Sequence, residues 1–320
     1  MATMKDIDSM FPDIVGQDRA KRELYERATS HNSDNFCPHI MLVAPKGCGK
    51  TLIASALSKS LIQKGETKCK SRHKINCASL KNLEQFFEQI VMPKLLDTDA
   101  TVFFDECHMI PADIQNALLT VLNPSKQRRN TFSFGDMDWE VDFHRLTFIF
   151  ATTESHKVIG PLMDRCRRID LEDYTDKHLE DILLLNTGDK VKFDKKTLPN
   201  IASALRGNGR SAQMMADDIL SYCNKNHKKT FGAADWVRFR STYGVLPLGL
   251  QLMELRVMRA LLDAPYTKLT GLAAKLGINR TAIQRDFEMY LQKQGLIEID
   301  QQGRMLTQKG REYLKEVDTP

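Results

Sequence analysis

The sequence predicts an α/β core with a parallel sheet, followed by a small helical lid domain and a C-terminal winged helix. Three observations predict it. Continuous apolar runs of four or five residues alternate with amphipathic helical stretches through the first half, as expected for strands covered on both faces by crossover helices. Strand signals stop near Asp176 and helical patterns take over. From Gln251 onward the chain reads as three helices, two of them joined by a short glycine turn, and then a two-stranded ribbon, the pattern of a helix-turn-helix with a wing.

The strands expected in the core are Ile40-Met41-Leu42-Val43, Thr101-Val102-Phe103-Phe104 and Leu146-Thr147-Phe148-Ile149-Phe150. Leu52 to Ile62 and Ile114 to Leu122 are amphipathic helices between them. Thr131 to Phe143 alternates aromatic and β-branched residues with polar ones around Gly135-Asp136, a β-hairpin pattern; Phe132, Phe134 and Trp139 in it face either a core or a partner. Asp176 to about Phe239 reads as all-helical, and Tyr243 to Gly249 as a turn-rich linker. Leu269 to Leu276, the turn Gly277-Ile278-Asn279, and Arg280 to Gln294 form the helix-turn-helix. Leu296 to Ile299 and Arg304 to Thr307 flank the wing. The expected domains are residues 1–175, 176–245 and 246–320.

The 320 residues are 42% hydrophobic and 27% charged, with a net charge of +5, values of a globular chain. No apolar run approaches the roughly 18–20 residues that cross a bilayer, so no membrane association is expected. Met1 to Asp8 has acids where a secretory segment needs apolar residues. Seven cysteines without a Cys-x-x-Cys pair fit a reducing cytoplasmic compartment. Cys69, His73 and Cys77 have a metal-like spacing but lack a fourth ligand nearby. The mild positive charge permits a nucleic-acid partner without demanding one.

The strongest chemical signal is Ala44-Pro45-Lys46-Gly47-Cys48-Gly49-Lys50-Thr51, between a strand and a helix. Glycines let such a loop turn its N–H groups toward phosphate oxygens, and the helix start adds its positive end. Lys50 supplies charge to the β- and γ-phosphates and Thr51 an oxygen for Mg²⁺. Ala44 stands where the full pattern has glycine, so it is expected to hold a backbone geometry that glycine adopts without cost. In Phe103-Phe104-Asp105-Glu106-Cys107-His108, Asp105 ends a buried strand where Mg²⁺ needs a ligand, and Glu106 can polarise the attacking water. Asp-Glu-Cys-His also looks like the box of two-lobed helicases, but no second lobe is present. A hydroxyl of Ala151-Thr152-Thr153 is placed to reach the γ-phosphate or that water. Asp164-Arg165-Cys166-Arg167-Arg168 offers arginines to a neighbour's phosphate, and Arg210 opens a helix that can fold over the nucleotide.

In this order, the five pieces resemble AAA+ ATPases, and over residues 10–315 the RuvB family of Holliday-junction branch-migration motors. Phe11 to Gln17 resembles that family's opening segment, which places Ile14 and Val15 near the adenine. Ala151-Thr152-Thr153 matches its sensor 1, Gly160 to Arg165 its arginine-finger segment, and Arg206-Gly207-Asn208-Gly209-Arg210 its sensor 2. Tyr290 to Ile297 and Gly303 to Thr307 match its winged-helix end. The resemblance implies Thr153 as sensor 1, Arg165 as a finger acting on the neighbouring subunit, Arg210 as sensor 2, and Arg304 at the wing tip on the DNA backbone. It also implies ATP and Mg²⁺ as ligands, a hexameric ring, duplex or four-way-junction DNA as substrate, and hairpin 131–143 as the docking place of the junction-binding partner RuvA. The chain departs from the family at Ala44 and at Glu154-Ser155-His156, where a basic residue is usual.

Residues 246–320 carry 11 Lys/Arg against 9 Asp/Glu, and winged helices also serve as protein-docking modules. Arg280, Arg285, Arg304 and Lys309 are the expected phosphate contacts. The principal alternative is a winged-helix replication initiator or helicase loader that uses ATP as a switch. A clamp loader would have a helical collar in place of the wing, and a regulator with a degenerate site would not keep Lys50, Thr51, Asp105 and Glu106.

Overall fold

The computed structural model describes residues 3–34, 37–63, 68–122, 130–134, 137–142 and 145–318. The chain divides into two compact units, Met1–Asn186 with Gly207–Met215, and Thr187–Arg206 with Ala216–Pro320.

The first unit is built on a five-stranded sheet of β1 (Ile40–Val43), β2 (Ser71–Asn76), β3 (Ala100–Asp105), β6 (Leu146–Thr152) and β7 (Arg167–Asp170), in the order β2-β3-β6-β1-β7. Every neighbouring pair is parallel. The three apolar runs lie at its centre. Their side chains alternate between two cores, as the two-residue strand period requires. Met41, Phe104, Phe148 and Phe150 enter one core with Ile114 and Leu118; Ile40, Leu42, Phe103 and Ile149 enter the other with Ile53 and Leu57. Phe104 and Phe150 stack at 4.9 Å between ring centroids, filling the layer under the strand ends.

The outer strands β2 and β7 carry the sequences SRHKIN and RRID. They are edge strands with mostly exposed side chains, so no apolar run announces them. The expected helices are present as Lys50–Ser60 and Ala112–Val121. The hairpin is also present: β4 (Asn130–Phe134) pairs antiparallel with β5 (Met137–Val141), Phe132 opposite Trp139. Its turn residues Gly135 and Asp136, its end Phe143, and the side chains of Phe132, Phe134 and Trp139 lie outside the described residues.

The second unit contains the helices Leu198–Ser203 and Ala233–Tyr243. An aromatic cluster of Tyr222, Phe231, Trp236, Phe239 and Tyr243 surrounds the second of these. The all-helical expectation for this stretch needs one correction, because β8 (Lys192–Phe193) and β9 (Thr230–Phe231) form a two-residue parallel ladder. Such short strands lie below the length at which alternation can be read.

The winged helix has helices Leu252–Ala260 and Leu269–Leu276, then a continuous helical run over 280–293, then β10 (Ile297–Ile299) and β11 (Arg304–Leu306). Thr267 bridges to Arg304 and widens the ribbon. A last helix, Gln308–Asp318, follows the wing where the sequence had indicated only ribbon. It buries Tyr313 and Leu314 in the core of Leu255, Met258, Ile283 and Leu291.

Candidate active site

The loop after β1 starts as ordinary extended chain. Ala44 donates its N–H to Thr152 O at 3.2 Å, continuing the β1–β6 ladder. It does not adopt a positive φ, unlike Gly47 (+85°) and Gly49 (+87°). The expected cost at Ala44 therefore does not arise, and the left-handed positions are the two that remain glycine. A Cβ on Gly47 would also lie 2.1 Å from Asn208 Oδ1.

Gly49 caps the helix Lys50–Ser60 without a side-chain hydrogen bond, leaving that helix start to an anion. Lys50 is 7% exposed, and its Nζ donates to Ala44 O at 2.8 Å and Pro45 O at 2.9 Å. Burial lowers its pKa, Arg210 adds to the lowering, and Glu106, Cys48 and Asp105 oppose it. A buried ammonium whose hydrogen bonds, among the described residues, go to neutral carbonyls is a place for a negatively charged ligand. Burial also pushes the Cys48 thiol up to about 11, so Cys48 serves here as a small apolar filler.

Val15, Lys46, Gly47, Gly49, Lys50, Thr51, Asp105, Glu106 and Arg210 line one cavity of about 570 Å³. Sequence reasoning brought all nine to this site. The remaining wall comes from Asp13, Leu52, Tyr174, Ile182, Leu185, Asn186, Gly209 and Gln213. Those on residues 174–213 lie more than a hundred positions from the loop, and apart from Gly209, which the sensor-2 match includes, no local pattern marks them. Ile14 sits in the core at 6% exposure, while its neighbour Val15 faces the cavity. Pro45 contributes its carbonyl to Lys50.

Asp105 ends β3 and pairs with Lys74 at 2.9 Å. Its carboxylate and the Thr51 hydroxyl face the same cavity, an oxygen donor set that suits Mg²⁺. Glu106 follows in a left-handed conformation, φ +55°, an uncommon geometry for a side-chain-bearing residue. Thr153 Oγ1 donates to Glu106 Oε2 at 3.4 Å, and His108 Nδ1 lies 3.4 Å from the same oxygen. His108 Nε2 lies 3.3 Å from Glu154 Oε1. His108 Nδ1 lies closer still to Thr152 Oγ1, at 3.0 Å, so Thr152 and Glu154, one of the departures noted in the sequence, hold the ring beside Glu106.

Arg165 does not line this cavity. Its guanidinium donates to Pro161 O at 2.8 Å, and its Nε is buried without a partner among the described residues. Arg168 is paired in bidentate fashion with Asp170.

The winged-helix candidates separate. Arg280 is exposed at the start of the 280–293 helical run. Arg285 is exposed beside Asp286 at 2.8 Å, and exposed Lys309 donates to Gln294 O at 2.7 Å. Arg304 corrects the expectation that it occupies the wing tip. It lies within β11, and its guanidinium is paired through Nε and a second nitrogen with Glu288, at 2.7 and 3.1 Å. The side chains of this pair are only 12% and 3% exposed. The chain between the wing strands is Asp300-Gln301-Gln302-Gly303, and Asp300 Oδ1 accepts from the N–H groups of Gln302 and Gly303. No cation stands there.

Phosphate loop, strand-end carboxylates and sheet order define an ATPase of the AAA+ class. Residues 40–174 match the family model of ATPases associated with various cellular activities. Residues 247–315 match the RuvB C-terminal winged-helix domain. Among curated proteins, the Holliday junction branch migration complex subunit RuvB of Bdellovibrio bacteriovorus is 22% identical over 93% of this chain and 90% of its own length. That of Latilactobacillus sakei is 25% identical, over 94% and 89%. The structure of the Thermotoga maritima RuvB branch migration motor superposes with a TM-score of 0.72 at 20% identity, over 96% and 98% of the two chains. The chain thus carries an AAA ATPase domain over residues 40–174 and a RuvB-type winged helix over residues 247–315. Among the described residues, no helix is long and apolar enough to cross a membrane.

Proposed function

We propose that this protein is an ATP-driven motor on duplex DNA, that its activity is Holliday-junction branch migration, and that it works as a hexameric ring. The observation that carries the reading is the conjunction of a complete phosphate-loop cavity with a RuvB-type winged helix in one chain. Relatives named as branch migration subunits match over nine-tenths of both chains, which supports the choice of substrate.

In this reading Lys50 and the loop N–H groups hold the triphosphate, with Thr51 and Asp105 as the residues that would hold Mg²⁺. When bound, Mg²⁺ supplies charge neutralisation at the phosphates. Glu106 accepts the proton of the attacking water, and Thr153 and His108 keep its carboxylate in place. Arg210 senses the nucleotide from the cavity wall. Arg165, absent from its own chain's cavity and with an unsatisfied Nε, is the finger for the next subunit. Arg280, Arg285 and Lys309 meet the DNA backbone, with Arg304 supporting the wing from beneath. Hairpin 131–143 receives a junction-binding partner of the RuvA kind. The three-domain division at residues 175 and 245 belongs to the same proposal.

The test is hydrolysis measured with and without four-way-junction DNA, together with dissociation of that junction. The reading expects stimulation by the junction and ATP-dependent strand movement. Binding to one specific duplex sequence without movement would favour the initiator alternative.

A further inference from the structure

Arg206 is strained and heavily engaged. It holds a φ of +57°, a left-handed geometry that costs a side-chain-bearing residue energy unless its surroundings impose it. Its guanidinium makes two hydrogen bonds to Glu254, Nη1 to Oε2 at 3.2 Å and Nη2 to Oε1 at 3.0 Å. Glu254 is 0% exposed, on the first helix of the winged helix. The same guanidinium lies flat on Tyr290, 3.4 Å from the ring centroid. Tyr290 belongs to the 280–293 helical run that carries Arg280 and Arg285.

The chain around the clamp is also fixed. Tyr290 Oη donates to Leu248 O at 2.6 Å, and Glu254 Oε2 also accepts from Gln251 N at 2.8 Å. A Cβ on Gly249, φ +63°, would lie 2.1 Å from Ala204 O, so only glycine lets these two stretches touch.

On the other side of one peptide bond, the chain belongs to the other compact unit. There Gly209 N donates to Gly47 O at 3.1 Å, and the Asn208 side chain caps the helix start through the N–H groups of Arg210 and Ser211. Arg210 faces the nucleotide cavity. Five consecutive residues therefore touch the phosphate loop at one end and grip the winged helix at the other.

We propose that Arg206 is the positioning residue that passes the nucleotide state from segment 207–210 to the winged helix, through Glu254 and Tyr290. This rests on the ATPase reading and deepens it. A flexible link at this place would let the loop rearrange without effect on the DNA-facing helices. A bidentate pair with a stacked guanidinium resists both sliding and rotation. A lysine cannot supply that planar fork, so the charge alone is not enough.

Removing Arg206 alone would strand a buried carboxylate and weaken the fold, so the test pairs Arg206→Gln with Glu254→Gln and adds Arg206→Lys. Each is compared with the full-length wild type for melting temperature and for hydrogen exchange over residues 252–260 and 280–293, with and without a non-hydrolysed ATP analogue. The wild type is expected to show nucleotide-dependent exchange in both segments. The folded double variant is expected to bind the analogue with unchanged affinity and to lose that response, with Arg206→Lys intermediate. Junction dissociation per ATP consumed is expected to fall about tenfold in the double variant, within the range of ordinary coupling between sites. Absence of a nucleotide response in the wild type, or its survival in the double variant, overturns the proposal. A wild type that shows the response but moves no junction leaves Arg206 in its role and overturns the branch-migration reading instead.

Discussion

The phosphate loop and the wing were both read from short motifs, and they came out differently. Around Lys50 the motif works through backbone geometry and one buried side chain. Gly47 and Gly49 provide left-handed φ, and Lys50 is buried against loop carbonyls. In the wing, Gly303-Arg304 looked like a cation at a tip, yet Arg304 is folded back on Glu288. A motif whose meaning lies in backbone geometry survives translation into three dimensions. A motif whose meaning lies in where one long side chain points depends on which carboxylate it can reach, and that carboxylate lies sixteen residues away.

The largest effect that would sharpen this contrast is expected at Arg165. Arg165→Ala should lower hydrolysis by about 10³–10⁵, the range of arginine fingers, and mixing with Lys50→Ala subunits should restore part of the activity. Steady-state hydrolysis across mixing ratios checks it; a linear loss with no recovery breaks the shared-site account. Next comes Glu106→Gln, with a fall of about 10²–10⁴ in turnover and nucleotide affinity retained in equilibrium titration. Loss of binding would show that Glu106 holds the loop rather than the water.

A smaller effect separates Arg304 from Arg280 in the winged helix. Arg304→Ala should cost about 3–5 kcal/mol of stability, because it leaves buried Glu288 unpaired, and Glu288→Gln in the same chain should return much of it; urea unfolding reads both. Junction affinity in the folded double variant should stay unchanged. Arg280→Ala should leave stability within about 0.5 kcal/mol and reduce the slope of log affinity against log salt by about one. The reverse outcome would restore Arg304 to the DNA. The smallest effect concerns thiols. Cys69 is exposed, whereas Cys37, Cys48, Cys77, Cys107, Cys166 and Cys223 are buried, so Cys69 should react first with a soluble alkylating reagent, as peptide mass mapping would show.

Much of this architecture was legible because central strands announce themselves. Ile40–Val43 and the strands ending in Asp105 and Thr152 are apolar on both faces, and their C-terminal ends carry the chemistry. β2 and β7 were not legible, since an edge strand such as Ser-Arg-His-Lys-Ile-Asn reads as surface. The loop, Asp105, Glu106 and Arg210 were recoverable from local patterns. Tyr174, Ile182, Leu185 and Gln213 were not: they reach the cavity only through the fold, from the chain before helix Asp176–Thr187, from that helix and from helix Gly209–Lys225, and none stands in a motif. His108 was visible beside Glu106, but its second partner Glu154 lies forty-six residues on, and only the pairing of β3 with β6 brings the two loops together.

The central claim is that the cavity around Lys50 is a triphosphate site. Calorimetric titration of Mg-ATP into the full-length protein and into Lys50→Ala tests it most directly. Saturable binding to the wild type, lost or weakened at least tenfold in Lys50→Ala, is the predicted result; equal affinity in both, or none in the wild type at any protein concentration, would contradict the account.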